Sequence, residues 1–283
     1  MLISLSTGSL FTLPLPRVFE LAAAAGFDGV ELIISQDFQK INPVKLIRSL
    51  QQITVIHSIH APFMPLDGWG GPADSLRRSV ALAAECGIPL VNFHPPSWMG
   101  FEIAYWRWLY SVIDFQKDVG IDGLVAVTIE NMPWVGRMKI NPNILSSTLR
   151  MIEFIRDHNL FMTFDCTHMG SGKANFINDF YLFYETGRIR NIHFSDYGQG
   201  REHLLPGHGM LPLTRFLNHL RNTDYQSTVT LELDPSEFPK AEHIILESLK
   251  EILLYLRAET GKHDDAVLSY DRSFQAVPVP EAG

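Results

Sequence analysis

A chain of 283 residues, 46% hydrophobic and 19% charged, has length for one large barrel or two ordinary domains and ample apolar material for a core. Its formal net charge of −8 counts against a broad nucleic-acid footprint, and no apolar run reaches membrane-spanning length. Two cysteines, Cys86 and Cys166, exclude a disulfide framework and suit a reducing cytoplasm, and the opening "MLISLSTGSLF" lacks the basic start of a cleaved signal.

In chain order, β-rich runs fall at 2–6, 29–34, 53–60, 90–94, 124–130, 161–165, 189–193 and 228–232. Helical patterns separate them. "PADSLRRSVALAAECG" has Gly87 as its stop, and "NILSSTLRMIEFIRDHNL" follows the fifth run. The last helix, 240–259, sets Ile244, Ile245, Leu249, Ile252 and Leu256 on one side. Eight strand–helix repeats predict an α/β protein with a single-domain (β/α)8 TIM barrel over 1–260, followed by a C-terminal tail at 261–283. A doubly wound sheet competes, but it does not usually supply eight regular units. "GSGK" at 170–173 lacks the upstream glycine and the following Ser or Thr of a P-loop and reads as plain loop.

Successive side chains of a strand point to opposite faces. The fifth run sets Val125, Val127 and Ile129 against Ala126, Thr128 and Glu130; the eighth sets Val229, Leu231 and Leu233 against Thr228, Thr230 and Glu232. The fourth, sixth and seventh runs repeat the pattern. In a barrel the apolar set faces the helices, so six inward series finish at the C-terminal rim with His60, His94, Glu130, Asp165, His193 and Glu232. Glu130, Asp165 and Glu232 would converge there with no lysine or arginine ending a neighbouring strand. Gathering such charges without compensation costs on the order of several kcal/mol per ion. A divalent cation resolves the conflict, with the interleaved histidines as suitable ligands. His57, one face away from His60, is expected beneath a helix, and Glu31 in "GVELII" could face the barrel but has no further support.

The segments "HSIHAPF", "VNFHPP", "TIENMP", "TFDCTH", "NIHFSDYGQGREHLLPGHGMLP" and "TLELDP", in this order, resemble the xylose isomerase-like TIM-barrel superfamily from about residue 2 to 258. That group includes sugar and sugar-phosphate isomerases and epimerases as well as endonuclease IV-type AP endonucleases. The resemblance implies a four-ligand metal centre of Glu130, Asp165, His193 and Glu232, and a second metal on His60 and His94 with Glu130 bridging. His168 matches a residue that binds a third zinc in the endonuclease branch and contacts substrate in some epimerases. Arg201 falls where an epimerase places a substrate-binding arginine. The endonuclease pattern has an Asp-x-His pair just before its "EH" dipeptide, where this chain has Gln199 and Arg201. A third metal would then need His203 or His208 from a rearranged loop, so a one-metal or two-metal site is preferred.

The leading expectation is a metal-dependent sugar or sugar-phosphate isomerase or epimerase that removes a proton next to a carbonyl, with the enediolate stabilised by the metal. Glu130 and Glu232, on strands three apart, would exchange the proton on opposite faces of the substrate. Trp134, directly after the Glu130 strand, is the candidate pocket wall. The oxygen-rich set favours manganese or magnesium, and the histidines leave zinc or cobalt open. Alternatives are a zinc phosphodiesterase at abasic DNA sites, a related dehydratase, and a non-catalytic ligand-binding barrel. The expected partner is a small carbohydrate-like molecule rather than nucleic acid or membrane, and the chain could act as a homo-oligomer.

Overall fold

Residues 1–98, 102–136, 138–172 and 176–261 are described by a computed structural model. Its strands, in chain order, are β1 (Leu2–Ser6), β2 (Gly29–Ile33), β3 (Ile56–His60), β4 (Leu90–Phe93), β5 (Ala126–Glu130), β6 (Phe161–Asp165), β7 (Ile189–Phe194), β8 (Asp196–Gly198), β9 (Arg201–Leu204) and β10 (Thr228–Leu231). All but β8 and β9 form one closed parallel barrel in sequence order, with β10 pairing both β7 and β1. Helices connect the strands, so the architecture is the (β/α)8 TIM barrel expected from the repeats. No described helix is long and apolar enough to cross a membrane.

Alternation separates two kinds of interior. Facing the helices, Ile3, Leu5, Val127, Phe164 and Phe194 are fully buried. Phe164 meets Phe180 and Phe216 at ring-centroid distances of 5.1 and 6.1 Å, in contacts that fix how the helices lie on β6. Inside the barrel the small polar set bonds to itself. The Thr128 and Thr163 hydroxyls are 2.8 Å apart, and Thr230 Oγ1 donates to Asn191 Oδ1 at 2.9 Å. A polar filling suits a barrel that must hold charged groups at its upper end.

Two strands start later than their composition implies, because local turns take the backbone groups first. The N–H of Ile53 donates to Leu50 O, and those of Leu124 and Val125 donate to Ile121 O and Gly120 O. Gly87 ends the helix Pro72–Cys86 with φ 70°, a left-handed cap that glycine adopts without strain. The last helix, Glu242–Thr260, buries Ile245, Leu249, Leu253 and Leu256, while Ile244 is 40% exposed. In "GSGK", Gly170 and Ser171 finish the helix Cys166–Ser171 rather than forming loop, and Lys173 lies outside the described residues. So does the tail from residue 262 onward. Cys86 and Cys166 are both free and buried.

His57 differs from its expected place. Val30 pairs with Ile56 and Glu31 with Ser58, which leaves His57 as the extra residue of a β-bulge. The bulge turns its ring toward the barrel interior over Gly29, where Nδ1 lies 2.7 Å from Ser4 Oγ.

The antiparallel hairpin β8–β9 has no counterpart among the expected strands and is anchored by Asp196. Its buried carboxylate accepts the backbone N–H groups of Tyr197 at 2.8 Å and of Gly207, Gly209 and Leu211 at 3.0 Å each. Gly209 sits so close that a Cβ would run into this carboxylate and the Tyr197 carbonyl. Substituting Asp196→Ala is expected to destabilise the fold by about 3 kcal/mol, read from urea unfolding, because it strands several donors at once. A loss below about 1 kcal/mol would contradict that role.

Candidate metal centre and active site

The rim residues are set by where their strands end. Glu130 and Asp165 close β5 and β6, His193 is the penultimate residue of β7, and Glu232 follows β10 directly. Oxygen or nitrogen atoms of these four residues lie within 4.8 Å of one another. His193 Nδ1 is the hub, 2.8 Å from Glu232 Oε2, 3.5 Å from Glu130 Oε1 and 3.6 Å from Asp165 Oδ2. Asp165 also caps the following helix, its Oδ1 accepting the His168 N–H at 2.7 Å. That bond leaves Oδ2 turned toward the cluster.

His60 and His94 lie on the other side of Glu130. Their Nε2 atoms are 3.1 Å apart and stand 3.4 and 3.5 Å from Glu130 Oε2. His60 Nδ1 is 2.8 Å from Ala61 O, an acceptor that favours a proton on Nδ1, and Nε2 is turned toward His94 and Glu130. Asn92 Nδ2 donates to Glu130 Oε2 as well.

His168 Nδ1 lies 3.0 Å from both Asn131 O and Glu130 Oε1. It joins Asp165 and His203 in a third group of donor atoms within 4.8 Å. The hairpin delivers His203, which adopts φ 56°. Of the two histidines that the sequence left open for this group, His203 is the one whose ring lies beside Asp165 and His168. His208 does not take part; it is exposed and pairs with Glu237 at 2.9 Å.

Arg201 is not brought to the cluster. Its side chain is 59% exposed and bonds Glu237 at 2.7 Å, although it lies two residues from His203 on β9. Trp134 is half-buried, and its ring covers Gly172. It lines a cavity of about 290 Å³ with Met132, Leu145 and Met151, behind the rim rather than over the barrel axis. Asn131 and His168 are the residues that this cavity shares with the rim.

Glu31 acquires the support that its sequence lacked. It is fully buried on β2, with Oε1 2.9 Å from His193 Nε2. Its inward parity beside a fully apolar outward set was the available signal.

Burial opposes charge throughout this cluster, yet opposite charges outweigh it at most positions. Desolvation favours neutral His193, but the carboxylates of Glu232, Glu31 and Glu130 hold its pKa well above the ordinary 6.5. His168 is likewise raised to about 10, chiefly by Asp165 and Glu130 against burial. Burial also opposes ionisation of Glu130 and Glu232, but the histidines, His193 foremost, bring both below the ordinary 4.5. At His94 burial prevails and its pKa falls. The fold thus supports ionised Glu130 and Glu232, with histidine protons as counter-charges.

Two buried atoms of the central group, His193 Nδ1 and Asp165 Oδ2, make no hydrogen bond. Both lie among the other donor atoms, and unpaired buried groups are costly without a partner. Three carboxylates and one imidazole form a donor set that fits a divalent cation.

The profile described as a xylose isomerase-like TIM barrel matches residues 19–257. The chain belongs to that family. An uncharacterized protein of Mycobacterium leprae (strain TN) is 26% identical over 283 residues, covering 90% of this chain and 97% of that protein. Among solved structures, a D-tagatose 3-epimerase-like protein superimposes with a TM-score of 0.67 at 19% identity, covering 93% of this chain and 99% of that one. An AP endonuclease, family 2, from Brucella melitensis superimposes with a TM-score of 0.68 at 15% identity, covering 90% and 99%. At these identities the structural likeness speaks for the barrel shared across this xylose isomerase-like family.

Proposed function

We propose that this xylose isomerase-like barrel is a divalent-metal-dependent isomerase or epimerase of a small sugar or sugar phosphate. The observation that carries the reading is the placement of Glu130 and Glu232, which reach the same His193 nitrogen from strands three apart in the barrel. The likeness to a D-tagatose 3-epimerase-like protein favours the same chemistry. Glu130, Asp165, His193 and Glu232 would hold the cation, which when bound supplies charge stabilisation to adjacent carbonyl and hydroxyl oxygens of the substrate.

The remaining work falls to this chain. Glu130 is tied by Asn92 and four histidines, whereas Glu232 is 16% exposed, its carboxylate pairs with His193, and its Oε1 has one long contact, 3.5 Å to Ser6 Oγ. Glu232 is therefore the base with freedom to take the α-proton, and Glu130 faces it to return a proton on the other side. His168, held by Asn131 and Glu130, orients a substrate oxygen, and Trp134 walls the adjoining cavity. Incubating the metal-loaded protein with a panel of ketohexoses in deuterium oxide is expected to put deuterium on the carbon next to the carbonyl. Turnover without exchange, and without shielded direct transfer in a substrate-labelling control, would exclude the assignment.

A second reading has its own observation. The groups His60–His94–Glu130 and Asp165–His168–His203 flank the central four, as a multi-zinc phosphodiesterase requires. The likeness to an AP endonuclease, family 2, favours it, and the net charge of −8 counts against a duplex-binding surface. Cleavage of an abasic duplex by the zinc-loaded protein, with no exchange on any ketose, would select this reading over the first.

A further inference from the structure

We infer that Glu31 is a positioning residue: it keeps the proton of His193 on Nε2, so that the Nδ1 lone pair faces Glu130, Asp165 and Glu232. The inference rests on the proposed cation centre and concerns a residue outside its ligand set. A histidine ligand has two nitrogens, and the group facing the second decides which one carries the proton. Here the second nitrogen faces one atom, Glu31 Oε1, at 2.9 Å. The pair is in contact without full hydrogen-bond alignment, and neither atom has another hydrogen-bond partner among the described residues.

The other oxygen of Glu31 is fixed by two donors. Ser58 Oγ donates to Oε2 at 2.7 Å, and Asn191 Nδ2 donates to it at 2.9 Å. Asn191 cannot turn its carbonyl oxygen inward without losing the Thr230 hydroxyl that donates to it at 2.9 Å. Four strands, β2, β3, β7 and β10, therefore hold Glu31 with Oε2 filled and Oε1 presented to His193. The arrangement is fully enclosed inside the barrel.

This geometry gives an isosteric substitution the larger effect. In Glu31→Gln, Ser58 and Asn191 capture the amide oxygen at the Oε2 position and leave the NH2 group facing His193. The imidazole must then accept at Nε2 and carry its proton on Nδ1, against the cation. In Glu31→Ala the space admits a water molecule that can accept the Nε2 proton. Cation affinity is expected to fall about 10-fold in Glu31→Ala and about 100-fold in Glu31→Gln. A packing role alone would reverse that order, since Gln preserves volume and Ala leaves a cavity.

The test is calorimetric titration of Mn²⁺ or Co²⁺ into chelator-treated wild type and both variants, with circular dichroism and thermal unfolding to establish folding. Weaker binding in Glu31→Gln than in Glu31→Ala, at comparable unfolding temperatures, supports the assignment. Wild-type affinity in Glu31→Gln, or the reversed order, overturns it while leaving the cation centre standing. Wild type with no saturable binding overturns both. Should Glu31→Gln fail to fold, Glu31→Ala decides alone: a loss near 10-fold supports the role and unchanged affinity ends it.

Discussion

Replacing Glu232 with Gln is expected to lower turnover by about 1,000-fold while leaving the fold intact. The amide keeps the size of the side chain but cannot take a proton at neutral pH. Glu232 is suited to such a test because its side chain stands at the open edge of the cluster, with one close contact, 2.8 Å to His193 Nδ1, and one long hydrogen bond, from Ser6. Glu130 is not: it contacts His60, His94, His168 and His193 at once, so its replacement disturbs charge balance along with chemistry. The measurement is kcat for a ketose that exchanges deuterium in the wild type, with thermal unfolding of both proteins. A loss below about 10-fold would remove Glu232 from proton transfer.

Cation affinity is expected to rise about tenfold per pH unit through the neutral range. The neighbouring carboxylates outweigh burial at His193 and raise its pKa well above 6.5, so the cation-free protein carries a proton there that a ligand nitrogen must lose. Stability of the cation-free protein runs the other way. A raised histidine contributes stability that is whole below pH 6.5 and lost as pH rises through its folded value. Glu130 and Glu232, lowered by the histidines against burial, contribute stability present above pH 4.5 and lost as pH falls through their folded values. The gain in thermal stability on adding saturating Mn²⁺ should therefore widen from pH 6 to pH 8, and calorimetry should register about one proton released per cation. A pH-independent affinity over that interval would mean that His193 is not a ligand.

The barrel and the gathering of its rim residues were legible because both follow from alternation. Val127 and Ile129 must face helices, which forces Thr128 and Glu130 inward, and the same constraint acts on β6, β7 and β10. Where that two-residue period breaks, inference from sequence breaks with it. His57 was misplaced because a bulge adds one residue to β3, and nothing in "HSIH" marks which residue is unpaired. Arg201 and His203 were hard to separate because they occupy a hairpin whose register depends on Asp196 gathering distant backbone N–H groups. Glu31 was visible in parity but not in purpose: its partners Ser58, Asn191 and His193 come from two other strands, and their meeting is a property of barrel closure.

The most direct test of a shared cation among separated acids is titration of chelator-treated protein with Mn²⁺, following free ion by electron paramagnetic resonance. The expected result is one tight equivalent in the wild type that disappears in Asp165→Ala, whose circular dichroism should remain that of a folded barrel. No saturable uptake by wild type, or uptake undiminished in Asp165→Ala, would contradict the cation centre.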